Sequence, residues 1–422
     1  MNFVIEALGL TAGGGKAGLM RLLPSLAEQG GHTFVALVAD VPEFAALARP
    51  NLKLVMQKKP FSLLLRHLYL QRTVPRICAA ERADALLCLG NFGPRRTPVP
   101  TVVVLHNARY VLSGAAEGAG ATLRERLITR YGQRYLRRLP AGVRLVVQTD
   151  LMRRRVMMTH RVPGSRVVVI PDADALPAAA GLRHLTFAPA DPRVGRAPST
   201  LATAGPRPFT FLCLARYYPH KNLEVLAEAM KRLNASGRRP ARCLLTIAAD
   251  EHPGARRLLR KIATENLERV LVNLGPLSGA QVADAYASAD AFILPTRLES
   301  FGRTYLEAMR FELPILTSDR DFARQMCGDA AIYFDPLDPG SVAASMARVM
   351  NDGPARARLA AESRRLAGRI PAWAEIAARF VSVLEGAAAG PAGEPSLAKD
   401  SAAAAAPPGW AASSGALQQG GW

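Results

Sequence analysis

The sequence predicts an α/β protein built as two consecutive parallel-sheet domains. Three observations carry this expectation. Short apolar runs rich in Val, Ile, Leu and Phe alternate with longer stretches of helical periodicity, the pattern of strand–helix–strand crossovers. That pattern lapses between Leu176 and Pro208, where Ala, Pro, Gly and Arg dominate, and it restarts at Phe209. A chain of 422 residues is also long enough for two cores of ordinary size. The expected division is therefore a first domain at 1–180, a linker at 181–207 and a second domain at 208–368, followed by a helix at 369–386 and a disordered tail at 387–422.

Composition narrows the class. Hydrophobic residues make up 49% of the chain, and no apolar run approaches a membrane span, which argues against an integral membrane protein. Phe3-Val4-Ile5 lacks a basic region ahead of it and is interrupted by Glu6, so it reads as a buried strand rather than a signal peptide. Cys78, Cys88, Cys213, Cys243 and Cys327 are scattered and odd in number, as expected of reduced core thiols in a cytoplasmic protein, with no metal spacing. The net charge is +20, and arginine supplies 46 of the 54 basic residues. Such an excess suits nucleic acid, an anionic membrane face or anionic small substrates. No nucleic-acid-binding motif accompanies it, so nucleic acid ranks last.

In the first half, residues 3–10 read as a strand, and the loop Thr11-Ala12-Gly13-Gly14-Gly15-Lys16-Ala17-Gly18 opens a helix to about Gln29. A second strand follows from His32 to Ala39. Gly13, Gly15 and Gly18 fit G-x-G-x-x-G, with Asp40 where a ribose-binding acid would lie, so an NAD-dependent oxidoreductase is one reading. The loop is not a P-loop, because Ala17 stands where a Mg²⁺-binding Ser or Thr is needed. Further strands are expected at 85–89 and 99–105, the latter ending at His106, and at 145–147 and 167–170. Residues 63–76 mix leucines with cations. Residues 122–138 form an amphipathic basic helix whose arginines either cover a solvated face or meet an anionic membrane.

The second half opens with a strand at 209–214, followed by Arg216 and Lys221 bracketing a strand-to-helix turn, where both can reach a diphosphate. Strands at 243–248 and 270–275 and a helix at 278–288 lead to Ala291-Phe292-Ile293-Leu294-Pro295, a short strand stopped by proline. After it comes Glu299-Ser300-Phe301-Gly302-Arg303-Thr304-Tyr305-Leu306-Glu307-Ala308-Met309, then a strand at 313–317. Glu299 lies at the carboxyl-side loop, where ligands of parallel sheets bind. Glu307 lies on the helix, and the first-turn amides of Phe301 to Thr304 between them favour an anion. Two carboxylates that accept from hydroxyls, flanking an anion cradle, suit a sugar–diphosphate–ribose ligand. A last strand at 328–336 and helices at 339–350, 354–366 and 373–384 complete the pattern.

Glu-x7-Glu with Ser-Phe-Gly inside and Glu-Ala-Met at its end resembles the donor-site signature of the retaining glycosyltransferases with two Rossmann-like domains. This is the GT-B type, the group 1 family (glycosyltransferase family 4), which includes many bacterial polysaccharide enzymes. The resemblance covers most of 1–385 and is strongest over 207–340. It implies two Rossmann-like domains facing across a cleft, with the last helix crossing back to the first domain. It implies transfer from a UDP- or GDP-linked sugar to a saccharide or lipid-linked acceptor with retention, in bacterial surface polysaccharide or lipopolysaccharide assembly, either in the cytoplasm or peripherally on the inner membrane face. Arg216 and Lys221 would stabilise the leaving pyrophosphate, Glu299 would hold the sugar hydroxyls, and His106 would lie beside the sugar. Glu307 would take the ribose diol, with Ser300, Phe301, Gly302, Arg303, Thr304, Gly14 and Gly15 completing the donor site. Two departures stand out: Pro171-Asp172-Ala173-Asp174 in place of Pro-Asn-Gly, and Ala249-Asp250-Glu251 in place of glycines near the base.

No carboxylate stands out as a covalent nucleophile of the glycosidase kind. Asp-x-Asp, the motif of metal-dependent transferases, occurs twice, at Asp172/Asp174 and Asp319/Asp321. With the phosphate charge answered by cations, the expectation is no metal and no cofactor beyond the nucleotide-sugar. A nucleotide-sugar epimerase of the same architecture and a non-catalytic membrane scaffold are the remaining alternatives.

Overall fold

The computed structural model describes residues 1–58, 63–112, 121–173, 176, 207–235 and 239–390. Almost all of the expected linker at 181–207, and the tail beyond Gly390, lie outside the described residues. The chain forms two compact units. The first comprises Met1–Gly114, Thr122–Ala175 and the stretch from Pro371; the second is chiefly Leu176–Ile370.

Unit 1 contains β1 (Asn2–Glu6), α1 (Gly13–Ala27), β2 (Thr33–Ala39), β3 (Leu52–Gln57), α2 (Leu63–Leu68), α3 (Val74–Ala80), β4 (Ala85–Cys88), β5 (Thr101–Val104), α4 (Leu123–Arg137), β6 (Val143–Val147), α5 (Asp150–His160) and β7 (Val167–Val169). Its sheet runs β3-β2-β1-β4-β5-β6-β7, with every neighbouring pair parallel. Helices cover both faces of such a sheet, so its central strands are continuous apolar runs rather than alternating ones. β1 and β4 illustrate this, with Phe3, Val4, Ile5, Leu86 and Leu87 fully buried. β1 stops at Glu6 rather than continuing to Leu10, because the Leu10 N–H turns back to the Ala7 carbonyl (3.0 Å). A π turn at Tyr69–Thr73 joins α2 to α3.

Unit 2 contains β8 (Phe209–Cys213), α6 (Glu224–Ala235), β9 (Ala241–Leu245), α7 (Pro253–Thr264), β10 (Leu271–Asn273), α8 (Gly279–Ser288), β11 (Ala291–Leu294), α9 (Arg303–Arg310), β12 (Ile315–Ser318), α10 (Asp321–Cys327), β13 (Ala331–Phe334), α11 (Pro339–Asn351) and α12 (Gly353–Ala367). Its all-parallel sheet runs β10-β9-β8-β11-β12-β13. Asp338 caps α11 by accepting from the Gly340 and Ser341 amides, with Pro339 supplying a first-turn residue that has no N–H to satisfy. The last helix, α13 (Trp373–Ala388), belongs to unit 1 and packs on α1, β4 and β5, so the chain does cross back. It runs two residues past the expected start of the tail.

In both sheets the strand order reverses at one place, between β1 and β4 in unit 1 and between β8 and β11 in unit 2. Crossovers leave in opposite directions there and open a crevice at the carboxyl ends of the two strands. All five cysteines are buried and unpaired, as expected, and burial pushes the Cys78 and Cys213 thiols up to about 11 and about 12. No described helix is long and apolar enough to cross a membrane.

Candidate functional site

The reversal in unit 2 brings together two loops, Ala215–Asn222 after β8 and Pro295–Gly302 after β11. Several hydrogen bonds hold them edge to edge. The Arg297 N–H donates to the His220 carbonyl (2.7 Å), and the Thr296 hydroxyl lies within reach of that carbonyl (3.3 Å). Asn222 adopts the left-handed conformation (φ +56°) that ends the turn over Pro219–Lys221. Its amide donates to the carbonyls of Pro336 (2.7 Å) and Pro295 (3.3 Å). Asparagine is among the few non-glycine residues that tolerate this backbone, which gives the Lys-Asn ending a structural reason.

The result is a direct ion pair between the Lys221 ammonium and the Glu299 carboxylate, at 16% and 11% exposure. An ammonium has three donors, so Lys221 can keep Glu299 and still serve a phosphate oxygen. Arg216 is turned elsewhere. Its guanidinium donates to Glu251 Oε2 (3.2 Å), while the same buried carboxylate accepts from the amides of Tyr217 (2.6 Å) and Ala248 (3.3 Å). The sequence gives no signal for this partner of Arg216, since Glu251 stands only where glycines would be expected.

Gly302 caps α9 at φ +80°, and a Cβ there would sit 2.6 Å from the Tyr305 ring. Both facts require glycine. The Tyr305 N–H returns to the Gly302 carbonyl (2.9 Å), so the amides ahead of it face the helix's amino end, where the dipole favours an anion. Tyr305 is itself locked: its hydroxyl and that of Thr317 are 2.7 Å apart, and Thr317 donates to the Leu294 carbonyl (3.0 Å). Phe301 is buried in the core, so only its backbone can address a ligand. Glu307, the fifth residue of α9, is buried and accepts from the Tyr286 hydroxyl (3.0 Å), whose ring stacks on Phe311. Tyr286 lies on an apolar helix face and reads in sequence as core. Only the buried Glu307 could have signalled that something must donate to it.

The remaining expected residues belong to unit 1. His106 follows β5, and its N–H donates to Asn91 Oδ1 (2.7 Å), which also takes the Asn107 N–H (3.0 Å). Gly14 and Gly15 lie in the first turn of α1, which opens at Gly13 with φ +57°, and a Cβ at Gly15 would press on Leu10 at 3.1 Å. Backbone conformation and packing therefore account for glycines in this turn without a dinucleotide. Of the two Asp-x-Asp pairs, Asp174 lies outside the described residues. Asp319 gives both carboxylate oxygens to Arg324 (2.6 and 2.8 Å).

The family description "Glycosyl transferases group 1" matches residues 203–366, the stretch that holds this site. Over that stretch the chain is similar to the group 1 glycosyltransferases. Beyond it the likeness extends through the fold. A sucrose-phosphate synthase from Thermosynechococcus elongatus superposes with a TM-score of 0.67 at 14% identity, over 91% of this chain and 98% of that one. Anabaena HepE, in a structure described as a complex with UDP and glucose, gives a TM-score of 0.63 at 15% identity over 91% and 99%. These neighbours share the fold, two Rossmann-like domains of the GT-B class. In sequence, a D-inositol 3-phosphate glycosyltransferase of Kineococcus radiotolerans is 28% identical over 237 residues, which is 53% of this chain and 49% of that protein. The chain thus matches about half the length of this curated relative.

Proposed function

We propose that this protein transfers a sugar from a nucleoside-diphosphate sugar to a hydroxyl of a saccharide or lipid-linked acceptor, with unit 2 holding the donor. The observation that carries this reading is the Lys221–Glu299 pair at the β8/β11 switch point, beside the amino end of α9, within the stretch similar to the group 1 glycosyltransferases. The diphosphate leaves with the electron pair of its bond to the anomeric carbon. Lys221 and the α9 amides stabilise that charge, and Arg216 joins them by leaving Glu251. Glu299 accepts from hydroxyls of the transferred sugar. Glu307, held by Tyr286, takes the ribose diol, and the backbone of Ser300–Thr304 borders the phosphates.

Roles for His106, Gly14 and Gly15 beside the donor, retention at the anomeric carbon and a setting in surface polysaccharide or lipopolysaccharide assembly rest on the family resemblance. In the proposed retaining step the acceptor oxygen bonds to the anomeric carbon, and its proton passes to the departing phosphate. The cations and amides answer the leaving charge, so we propose that no metal is required. UDP is the first base to try, given the ligand described for HepE. An anionic membrane surface is a proposed partner of α4. Its Leu123 and Leu127, 74% and 56% exposed, stand among arginines and not in the core.

Thermal-shift binding of UDP, GDP, ADP and NAD to wild type and Glu307→Ala tests the donor site. Stabilisation by one nucleoside diphosphate, weakened in the variant, supports it. A response to NAD alone, unchanged in the variant, moves the function to the glycine turn.

A further inference from the structure

Unit 1 has its own switch-point crevice, between β1 and β4, and a cation stands in it. Arg66, from α2, reaches over the carboxyl ends of these strands into a slot walled by Gly9 and Gly90. An added Cβ at Gly9 would land on the guanidinium, and one at Gly90 would come within 2.5 Å of it. Neither glycine has a positive φ, so what glycine supplies at both positions is room for the guanidinium. Beneath it lies Glu6, the last residue of β1, with a side chain only 3% exposed against 34% for Arg66. The two charges are 3.8 Å apart, too far for a hydrogen bond, and the Glu6 Oε1 instead accepts the Leu8 N–H at 3.1 Å.

The guanidinium therefore has five N–H donors and no hydrogen-bond acceptor among the described residues. The side chain is two-thirds enclosed in a glycine-lined slot yet open enough for its guanidinium to be reached from outside, and it lies where parallel sheets bind ligands. The π turn at Tyr69–Thr73, one helical turn further on, is the kind of irregularity that recurs at functional sites.

We propose that Arg66 is an anion receptor in unit 1 and that the acceptor sugar carries a phosphate or carboxylate group which docks on its planar fork. The inference rests on the donor reading above, since it treats unit 1 as the acceptor's unit. Glu6 balances the arginine when the slot is empty. An incoming phosphate or carboxylate supplies the short, paired hydrogen bonds that Glu6 does not. The acceptor is thereby selected by its charged substituent, and uncharged sugars bind weakly.

The test is calorimetric titration of the full chain, with UDP present, using D-glucose 6-phosphate, D-glucuronate, D-glucose and inorganic phosphate. One of the two charged sugars is expected to bind wild type at least about tenfold more tightly than D-glucose, and to lose that advantage in Arg66→Gln. Which of them gains identifies the anion as phosphate or carboxylate. Gly90→Ala, which keeps the arginine but fills its slot, should lose the same advantage. UDP binding should persist in both variants, so a missing UDP response counts against the donor reading and not against this one. Equal binding of charged and uncharged sugars, or an advantage untouched by Arg66→Gln, overturns the proposal. So does inorganic phosphate binding as tightly as the sugar phosphate, because the slot would then read the bare ion. Should Arg66→Gln fail to fold with Glu6 left alone, the Glu6→Gln/Arg66→Gln double variant removes both charges and decides the question.

Discussion

Both units place a carboxylate and a cation at the crevice where strand order reverses, and they do so in opposite ways. In unit 2, Lys221 and Glu299 come from the two loops themselves, share nearly the same depth and touch. In unit 1, Glu6 is the strand's own last residue, sealed in the sheet, while Arg66 reaches in from a helix and remains partly open. A contact pair is close to neutral at a distance, so an approaching ligand meets a dipole and not a net charge. A separated pair with its negative end buried presents mainly its positive end. The first arrangement suits a ligand that brings both hydroxyls and phosphates, one for each partner. The second suits a ligand with a single anionic group.

Breaking the unit 2 pair should have the largest effect. Lys221→Ala removes a cation that the proposed reaction uses as charge develops. We expect kcat/KM for nucleotide-sugar turnover to fall about 10²–10³-fold, ~3–4 kcal/mol, as when one preorganised donor is lost from a transition-state site. A variant that lowers Tm but leaves kcat/KM within twofold would make the pair a structural brace. Next comes Glu307. Glu307→Ala leaves the Tyr286 hydroxyl without its carboxylate and should weaken UDP about tenfold or more, ~1.5–3 kcal/mol, read by titration calorimetry. Tyr286→Phe, which keeps the carboxylate but removes one of its hydrogen bonds, should weaken UDP less. An equal loss in both variants would mean that Glu307 works only when held.

Glycines at the two crevices sharpen the contrast at a lower energy. Gly302→Ala forces both a left-handed backbone and a collision with the Tyr305 ring, so it should cost ~1–3 kcal/mol of unit 2 stability. In a domain of this size that is a Tm drop of roughly 2–4 °C per kcal/mol. Gly90→Ala meets the end of a flexible arginine and the Glu6 carboxylate at 3.1 Å, with no backbone strain. It should leave Tm nearly unchanged by differential scanning calorimetry. If Gly90→Ala proves as damaging as Gly302→Ala, the unit 1 slot is rigid packing and not an adjustable receptor.

The two crevices also differ in how far they could be read from residues alone. In unit 2, Arg216, Lys221, Glu299 and Glu307 are legible as candidates, because the family resemblance and their place just after plain apolar strands single them out. Their partners are not. Glu251 and Tyr286 meet Arg216 and Glu307 only once β9 and α8 are folded beside β8 and α9, and long-range pairing leaves no local pattern. In unit 1 both members of the Glu6–Arg66 pair escaped notice. Glu6 looks like an interruption in an apolar strand, and Arg66 is one of many cations in a leucine-rich stretch. β3 and α5 went unassigned for a related reason. β3 is an edge strand, mostly half-exposed, with Lys53 in it, and α5 carries Arg153, Arg154 and Arg155 in succession, so neither shows a clean apolar period.

The smallest expected effect bears most directly on the contrast. Burial pushes the Glu6 carboxyl above its ordinary value of 4.5, against the opposing pull of Arg66 and the Leu8 amide. The sign follows from linkage. Well below pH 4.5 the folded and unfolded chains both hold this proton. As pH rises past 4.5, the unfolded chain releases it first, so Glu6 takes stability away until the pH also passes its folded value. Glu6→Gln cannot titrate. The Tm of wild type minus that of Glu6→Gln should therefore fall by a few degrees or less as pH is raised from 4.5, with titrations elsewhere cancelling in the difference. Arg66→Gln, which removes the opposing pull, should steepen the fall. If the difference instead rises with pH, Glu6 is a stabilised carboxylate already committed to Arg66. The unit 1 crevice would then be a closed ion pair like the one in unit 2, with no cation left to receive an anion.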